Sequence, residues 1–173
     1  MDITLKHQAL QMHDYHVWAN ERTLNHVKEL PIEIVEQPVQ SVFSTIQDVF
    51  VHIHVFDHVW LGVMQQKDFS EIIGVMERLK KELPSKSIDE MQQLYREVAG
   101  MYRSFFKAQS DLDGMIPCEH PQWGKKELRL SEMVHHVVNH GTYHRGNITA
   151  MLRQMGHAGV PTDYAQFLFE LER

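Results

Sequence analysis

The sequence predicts an all-α protein, a four-helix bundle with a short extra helix near its C-terminal end. Two observations support this fold class. Apolar residues recur at spacings of three and four along four long segments, which is the period of an amphipathic helix. The 173 residues, 43% of them hydrophobic, suit one domain spanning 1–173 and show no repeat of fixed period. Four long helices and few strands indicate a bundle.

The first two helices are bounded by recognisable signals. The first is predicted over residues 5–30, and Pro31 ends it because proline cannot continue a helix. The second is predicted over residues 44–66. Ser44 is followed three residues later by Gln47, which is the spacing of a capping box at a helix N-terminus.

The third and fourth helices are delimited in the same way. The third is predicted over residues 87–110, where Ser87 and Glu90 form a second capping box. The fourth is predicted over residues 131–155, and Gly156 is a suitable C-terminal stop. A short fifth helix follows Pro161, with apolar residues at helical spacing: Tyr164, Phe167, Leu168 and Leu171.

Two connections are long. Residues 111–130 contain two glycines and two prolines and are predicted to be irregular, with short extended pieces. Residues 67–86 include a candidate short helix over 72–83. This second connection is long enough for the second and third helices to run parallel.

Composition excludes several functional classes. The formal charge of −6 argues against a general nucleic-acid or anionic-membrane partner. No apolar run approaches the length of a transmembrane helix, and the N-terminus does not resemble a signal peptide. Cys118 is the only cysteine, so an intrachain disulfide and a multi-cysteine metal site are excluded. These features predict a cytoplasmic protein.

Histidine is the unusual component, with 13 residues in 173. His140 and His144 lie four residues apart on the fourth helix, about 40° apart around its axis and about 6 Å apart along it. Two imidazoles so placed can converge on one metal ion. His52 stands among apolar residues of the second helix. If His52 meets the pair across the bundle, a three-histidine site with an open face results; otherwise the three are structural histidines.

Two better-known metal motifs are absent. In the H-E-x-x-H motif of metalloproteases a glutamate follows the first histidine, but Gly141 occupies that position here. Di-iron bundles use Glu-x-x-His pairs on facing helices, and Glu132 with His135 is the only near match on the fourth helix. Neither class is supported.

Three segments resemble the DinB/YfiT-like family of bacterial four-helix-bundle proteins. Residues 15–21, YHVWANE, resemble the family's Y-x-x-W-A-N segment. His52-Ile53 followed by Trp60-Leu61 resembles its second segment, and residues 139–148, NHGTYHRGNI, resemble its H-x-x-x-H-R-G-Q-I segment. Asn147 stands where the family commonly has glutamine. The resemblance extends over essentially the whole chain.

The resemblance implies a divalent metal bound by His52, His140 and His144. It also implies helices in up-down-down-up order and a homodimer. Several relatives are thiol-dependent S-transferases or isomerases, so it implies a low-molecular-weight thiol of the bacillithiol type and an electrophile as the small-molecule partners. Imidazole ligands suit zinc, nickel, copper and iron, and zinc or nickel is expected here.

Five residues are candidates for supporting the metal ligands or lining the pocket. Asn139 and Arg145 flank the histidine pair, and Asp48 precedes His52 by one turn. His136 continues the stripe of His140 by one turn, and His16 lies in the first matching segment. Each has an alternative as an ordinary surface or packing residue, and for Arg145 that alternative is a simple ion pair.

Three functions are compatible with these observations. The first is a metal-dependent transferase that activates a small thiol toward electrophilic substrates. The second is a metal-dependent hydrolase, which needs a general base that the H-x-x-x-H motif does not supply. The third is a non-enzymatic metal-binding or stress-response protein.

Overall fold

The protein, analysed as a computed structural model, is described over residues 7–120 and 122–171. Four long helices form its frame: α1 (Gln8–Lys28), α3 (Ile46–Met64), α5 (Ile88–Lys107) and α6 (Leu130–Gln154). Shorter elements connect them: α2 (Glu33–Glu36), α4 (Phe69–Glu82), a 3₁₀ turn (Leu83–Ser85), strands β1 (Met115–His120) and β2 (Gly124–Arg129), and α7 (Tyr164–Glu170). The predicted all-α bundle with a short extra helix is confirmed. The predicted start of the first helix at Leu5 lies outside the described residues.

The helix ends follow capping chemistry, with one correction. Ser87 and Glu90 form the predicted capping box of α5. At α3 the box is one residue later than predicted: Thr45 accepts from the backbone N–H of Asp48, whose carboxylate accepts from the N–H of Thr45. An ionised carboxylate is favoured over an amide at the positive end of the helix dipole. The prediction that Ser44 and Gln47 form this cap was therefore wrong.

The helix directions follow from side-chain contacts between α3 and α5. The Tyr95 hydroxyl donates to the carbonyl of Phe50 at 2.8 Å. One to two turns further along both helices, the Tyr102 hydroxyl donates to the carbonyl of Asp57 at 2.7 Å. Later residues of α3 therefore meet later residues of α5, and the two helices run parallel, as the long connection between them permits.

The other two helices run opposite to this pair. Early residues of α1 meet the end of α5, since the ring of His13 lies 4.6 Å from that of Tyr102. On α6, His140 faces His52 while the earlier His136 faces Trp60, so α6 is antiparallel to α3. The order is up-down-down-up, as the family resemblance implied. Helices α1 and α3 each pack against α5 and α6 and lie diagonally across the bundle.

Residues 111–130 form a β-hairpin in addition to loops. Strands β1 and β2 pair antiparallel, with Cys118 opposite Lys126. The inward face carries Ile116, Cys118 and Leu128, whereas most of β2 is charged and exposed. The predicted short extended pieces are thus a paired hairpin. Its second strand has too few apolar residues for the alternation that marks a half-buried strand.

The connection before α5 holds a longer helix than predicted. Helix α4 begins at Phe69 rather than at Ile72 and packs along α3. A Cβ atom at Gly62 of α3 would stand 3.0 Å from the side chain of Ile72, so the missing side chain allows the two helices to approach. Among the described residues, no helix combines the length and apolar character that crossing a membrane requires.

Candidate metal centre

Three histidines converge from two antiparallel helices. His52 comes from α3, and His140 and His144 come from successive turns of α6. One ring nitrogen from each lies within 4.8 Å of those from the other two. Helical spacing places the α6 pair on one face, and the packing of α3 against α6 brings His52 opposite them.

The distances within this cluster suit a single ion. The Nε2 atoms of His52 and His140 are 3.1 Å apart. Two ligand atoms at about 2.0–2.1 Å from a tetrahedral zinc ion stand roughly 3.3 Å apart. The ring of His144 lies 4.4 Å from that of His52 and 4.5 Å from that of His140, steeply inclined to both. The three rings thus approach one point from different directions.

The surroundings favour neutral imidazoles. Burial, together with the nearby His144 and Lys80, lowers the pKa of His52 to about 4. Burial, with His144 and His52 beside it, lowers the pKa of His140 to about 3. Burial also lowers the pKa of His144. Only the neutral ring has a free lone pair for a metal, so all three side chains are in the ligating form at pH 7.

Aromatic side chains surround the cluster. Phe43, in the loop before α3, lies 5.0 Å from the ring of His52 and 5.4 Å from that of His144. Phe56 lies 4.6 Å from His52 and 5.4 Å from His140. Apolar neighbours exclude water and lower the local dielectric, which strengthens charge interactions at the centre.

Asn147 supports His144, and the sequence reasoning did not select it. Its Nδ2 lies 3.4 Å from Nδ1 of His144. Turning the amide over presents its oxygen instead, which accepts the Nδ1 proton when Nε2 faces a metal. The family resemblance marked this position only as a departure from glutamine. The shorter asparagine still reaches the ring because it lies one turn after His144 on the same helix.

Three of the five supporting candidates are placed as follows. The carboxylate of Asp48 is engaged in the α3 cap, and Asn139 is exposed on α6; neither forms a hydrogen bond to the three histidines. The ring of His136 lies 4.3 Å from that of Trp60, tilted by 51°, and 6.1 Å from that of His140. Asp48 and Asn139 therefore do not support the ligands directly, whereas His136 borders the cluster.

The other two candidates, His16 and Arg145, meet in a buried polar network. Nε2 of His16 donates to Oδ2 of Asp57 at 3.1 Å across the bundle diagonal. Arg145 donates to Oδ1 of Asn20 at 2.7 Å and lies 3.4 Å from Nδ1 of His16. Arg145 is 3% exposed. The alternative of a simple ion pair for Arg145 was wrong, because among the described residues its guanidinium contacts Asn20, Thr142 and His16 rather than a carboxylate.

Asp57 is the buried charge that the sequence reasoning missed. Burial raises the pKa of its carboxyl, but the charge and hydrogen bond of His16, together with the charges of His54 and His13, lower it more, so the net shift is downward. Its other oxygen, Oδ1, has no hydrogen-bond partner among the described residues. The side chain borders a cavity of about 20 Å³, the size of one water molecule. A carboxylate within the apolar stripe of the second helix was the available signal.

The fold and the site define a class: a helical bundle in up-down-down-up order with three histidines converging from α3 and α6. The sequence model of the DinB family matches residues 3–172. Protein DinB of Bacillus subtilis (strain 168) is 42% identical over 161 residues, which cover 93% of this chain and 94% of that protein. The chain belongs to the DinB family.

A solved structure shares the fold. The crystal structure of a DinB-like protein from Bacillus cereus ATCC 10987 matches with a TM-score of 0.66 and 21% identity. The match covers 88% of this chain and 94% of that one. At this identity the comparison supports the architecture and nothing about the reaction.

Proposed function

We propose that this protein is a divalent-metal-dependent transferase that activates a low-molecular-weight thiol toward an electrophilic substrate. The convergence of His52, His140 and His144 on one point carries the proposal. Three neutral ligands leave the full charge of a divalent ion uncompensated and leave room for a further ligand. Zinc or nickel is the expected ion, because imidazole suits both.

The chemistry is a group transfer at sulfur. His52, His140 and His144 would hold the divalent ion, which would lower the pKa of a bound thiol so that the thiol could react as its thiolate near neutral pH. The thiol proton passes to solvent, a sulfur–carbon bond forms, and the leaving group departs with its electron pair. A bacillithiol-type thiol and a carbon electrophile are the proposed partners.

The chain's own residues prepare the centre for this role. Asn147 orients His144 through its Nδ1, and the lowered pKa of His140 and His52 keeps both rings neutral at neutral pH, with one ring nitrogen of each free to bind a metal. Phe43 and Phe56 limit the water that reaches the ligands. The same arrangement serves a non-enzymatic metal carrier, which the experiment below separates from a transferase. A homodimer in the cytoplasm stays a prediction.

The first experiment measures metal content by elemental mass spectrometry. Wild type and the variants His52→Ala, His140→Ala and His144→Ala are loaded with Zn²⁺ or Ni²⁺ and desalted. His58→Ala is the matched control, because His58 lies on α3 but its ring neighbour is His54 rather than the cluster. We expect about one ion per chain in wild type and His58→Ala and none in the other three.

The second experiment tests the reaction. The loaded protein is mixed with a small thiol and a chromogenic electrophile, and thiol consumption is followed with and without metal. Metal-dependent consumption that is lost in His140→Ala supports the transferase. Full metal binding without thiol consumption, over several thiols and electrophiles, identifies a metal-binding protein instead. A folded wild type that retains no metal overturns the proposal.

A further inference from the structure

An open groove of about 880 Å³ runs between α3, α4 and the β-hairpin. Its size lies within the range of small-molecule pockets, roughly 300–1,000 Å³. The apolar side chains of its walls come from the facing sides of the two helices: Val59, Val63, Phe69, Ile72, Ile73 and Met76. Phe69 is 56% exposed at the groove's edge. An apolar surface left open in this way marks a binding site.

One end of the groove reaches the metal centre. Phe56 lines the groove, and its ring is also packed 4.6 Å from that of His52. Trp60 lines it as well, and its ring packs at a tilt against that of His136, the neighbour of His140. A molecule lying in the groove therefore has one end beside the three histidines.

The hairpin wall of the groove presents a lysine. Lys126 of β2 is paired in register with Cys118, so both side chains lie on the hairpin face toward the bundle. Lys125 also lines the groove, but it forms an ion pair with Glu119 at 3.2 Å. Lys67, also at the rim, is paired with Glu71. Among the described residues Lys126 has no ion-pair partner, and its ammonium is available to an anionic ligand.

The length of the groove along α3 suits an extended small molecule. From Phe56 to Val63 the groove follows seven residues of α3, which is about 10 Å of helix. We propose that this groove binds the electrophilic substrate, an amphiphile with an extended apolar body and a carboxylate. The carboxylate lies at Lys126, the apolar body lies along α3 and α4, and the reacting carbon lies beside Phe56. The identity of the reacting end rests on the proposed function; the binding of the amphiphile does not.

The test uses the full-length metal-free protein, so that it is independent of the transfer reaction. Binding of octanoate and of the neutral octan-1-ol is measured by calorimetry and by NMR shifts of groove residues. Lys126→Glu removes the proposed cation, and Lys107→Glu makes the same change at an exposed lysine of α5 that does not line the groove. Ile73→Glu places a charge on the apolar wall, and Met101→Glu on exposed α5 is its control. Circular dichroism verifies folding.

We expect Lys126→Glu to weaken the binding of octanoate about fivefold or more, whereas the affinity for octan-1-ol stays within about twofold of the wild-type value. Lys107→Glu and Met101→Glu leave both affinities unchanged, and Ile73→Glu abolishes both. Equal effects of the two lysine variants, or shifts located away from the groove, overturn the proposal. The competing occupant of the groove is a second copy of this chain, and sedimentation tests it. If wild type is a dimer that binds no octanoate, and Ile73→Glu is monomeric, a second copy covers the groove.

The two proposals fail in different ways. If octanoate binds as expected but no thiol is consumed with metal present, the proposed ligand groove is supported and the proposed transferase activity is contradicted. If thiol consumption occurs, Lys126→Glu raises KM for carboxylate-bearing electrophiles and not for neutral ones. A KM that is unchanged for both shows that the substrate enters by another face.

Discussion

The imidazole of His16 lies where the Cβ atom of residue 141 would stand. A Cβ built at Gly141 would be 2.5 Å from Nδ1 of His16 and 2.9 Å from a guanidinium nitrogen of Arg145. Gly141 directly follows His140, so this contact determines how closely α1 and α6 approach beside the candidate metal ligands. The glycine that separates this motif from a metalloprotease motif thus has a packing role.

Gly141→Ala is expected to destabilise the protein. The added methyl group forces His16 and α6 apart, which costs about 1–3 kcal/mol, offset by about 1 kcal/mol from the better helix propensity of alanine. Urea denaturation measures the net loss. Gly146→Ala is the matched control on the same helix, where a Cβ meets nothing within 4 Å, and it is expected to be stabilising. Equal effects at both positions would contradict the close approach.

The buried carboxylate of Asp57 is expected to matter more than any surface charge. Asp57→Asn leaves the charge of buried Arg145 without its counter-charge and weakens the bond to His16, at a cost of about 3 kcal/mol. Glu82→Gln removes the carboxylate of the exposed Arg78–Glu82 pair in the same way, and there we expect the free energy of unfolding to fall by less than about 0.5 kcal/mol. Thermal or urea unfolding of both variants gives the comparison. A loss at Asp57 as small as at Glu82 would show that the network is not energetically coupled.

Acid is expected to destabilise the metal-free protein through His54. This side chain is 1% exposed, and neither ring nitrogen has a hydrogen-bond partner among the described residues. Burial, with His58 beside it, lowers the pKa of His54 from 6.5 to about 4. The unfolded chain therefore binds this proton first as the pH falls, and stability declines between pH 6.5 and about 4, by up to about 1.4 kcal/mol per pH unit.

His54→Leu should make that decline shallower without abolishing it, because His52 and His140 also have a lowered pKa in the folded protein and bind protons as the chain unfolds. The free energy of unfolding is measured by urea titration from pH 7.5 to pH 4 in the presence of a chelator. His157→Gln, at a half-buried position near the end of α6, controls for the number of histidines. If the free energy of unfolding falls equally with pH in wild type and in His54→Leu, groups other than His54 are responsible for the loss of stability in acid.

The fold was predictable from sequence because helical periodicity survives in each long helix. The hairpin was not, since residues such as Lys125 and Lys126 give β2 no apolar alternation. The N-terminal cap of α3 is at Thr45 rather than at Ser44. Both residues carry a hydroxyl group, and only the hydrogen bonds with Asp48 distinguish them. The spacing of apolar residues predicts where helices form, and competition between local hydrogen bonds determines the residues at which they begin and end.

The candidate site was predictable in part for a different reason. Spacing along α6 pairs His140 with His144, but bringing His52 to them depends on how α3 packs against α6, and only the family resemblance anticipated that. Asp57 and Arg145 were harder still. Their partners lie on α1, and a contact between residues more than 40 positions apart leaves no periodic trace in the sequence.

Phe43 is expected to control how fast metal leaves the centre. Its ring is packed against both His52 and His144, and the loop that carries it is closed by a hydrogen bond from the N–H of Val39 to the carbonyl of Ser44 at 2.8 Å. Phe43→Ala removes this cover without touching a ligand. Metal stoichiometry should stay near that of wild type, whereas transfer of the ion to a chromogenic chelator should accelerate on the order of tenfold, because loop opening no longer limits access. Val42→Ala, at the adjacent exposed residue, should leave the rate unchanged. Equal rates in Phe43→Ala and wild type would mean that the ion leaves by the groove side, past Phe56.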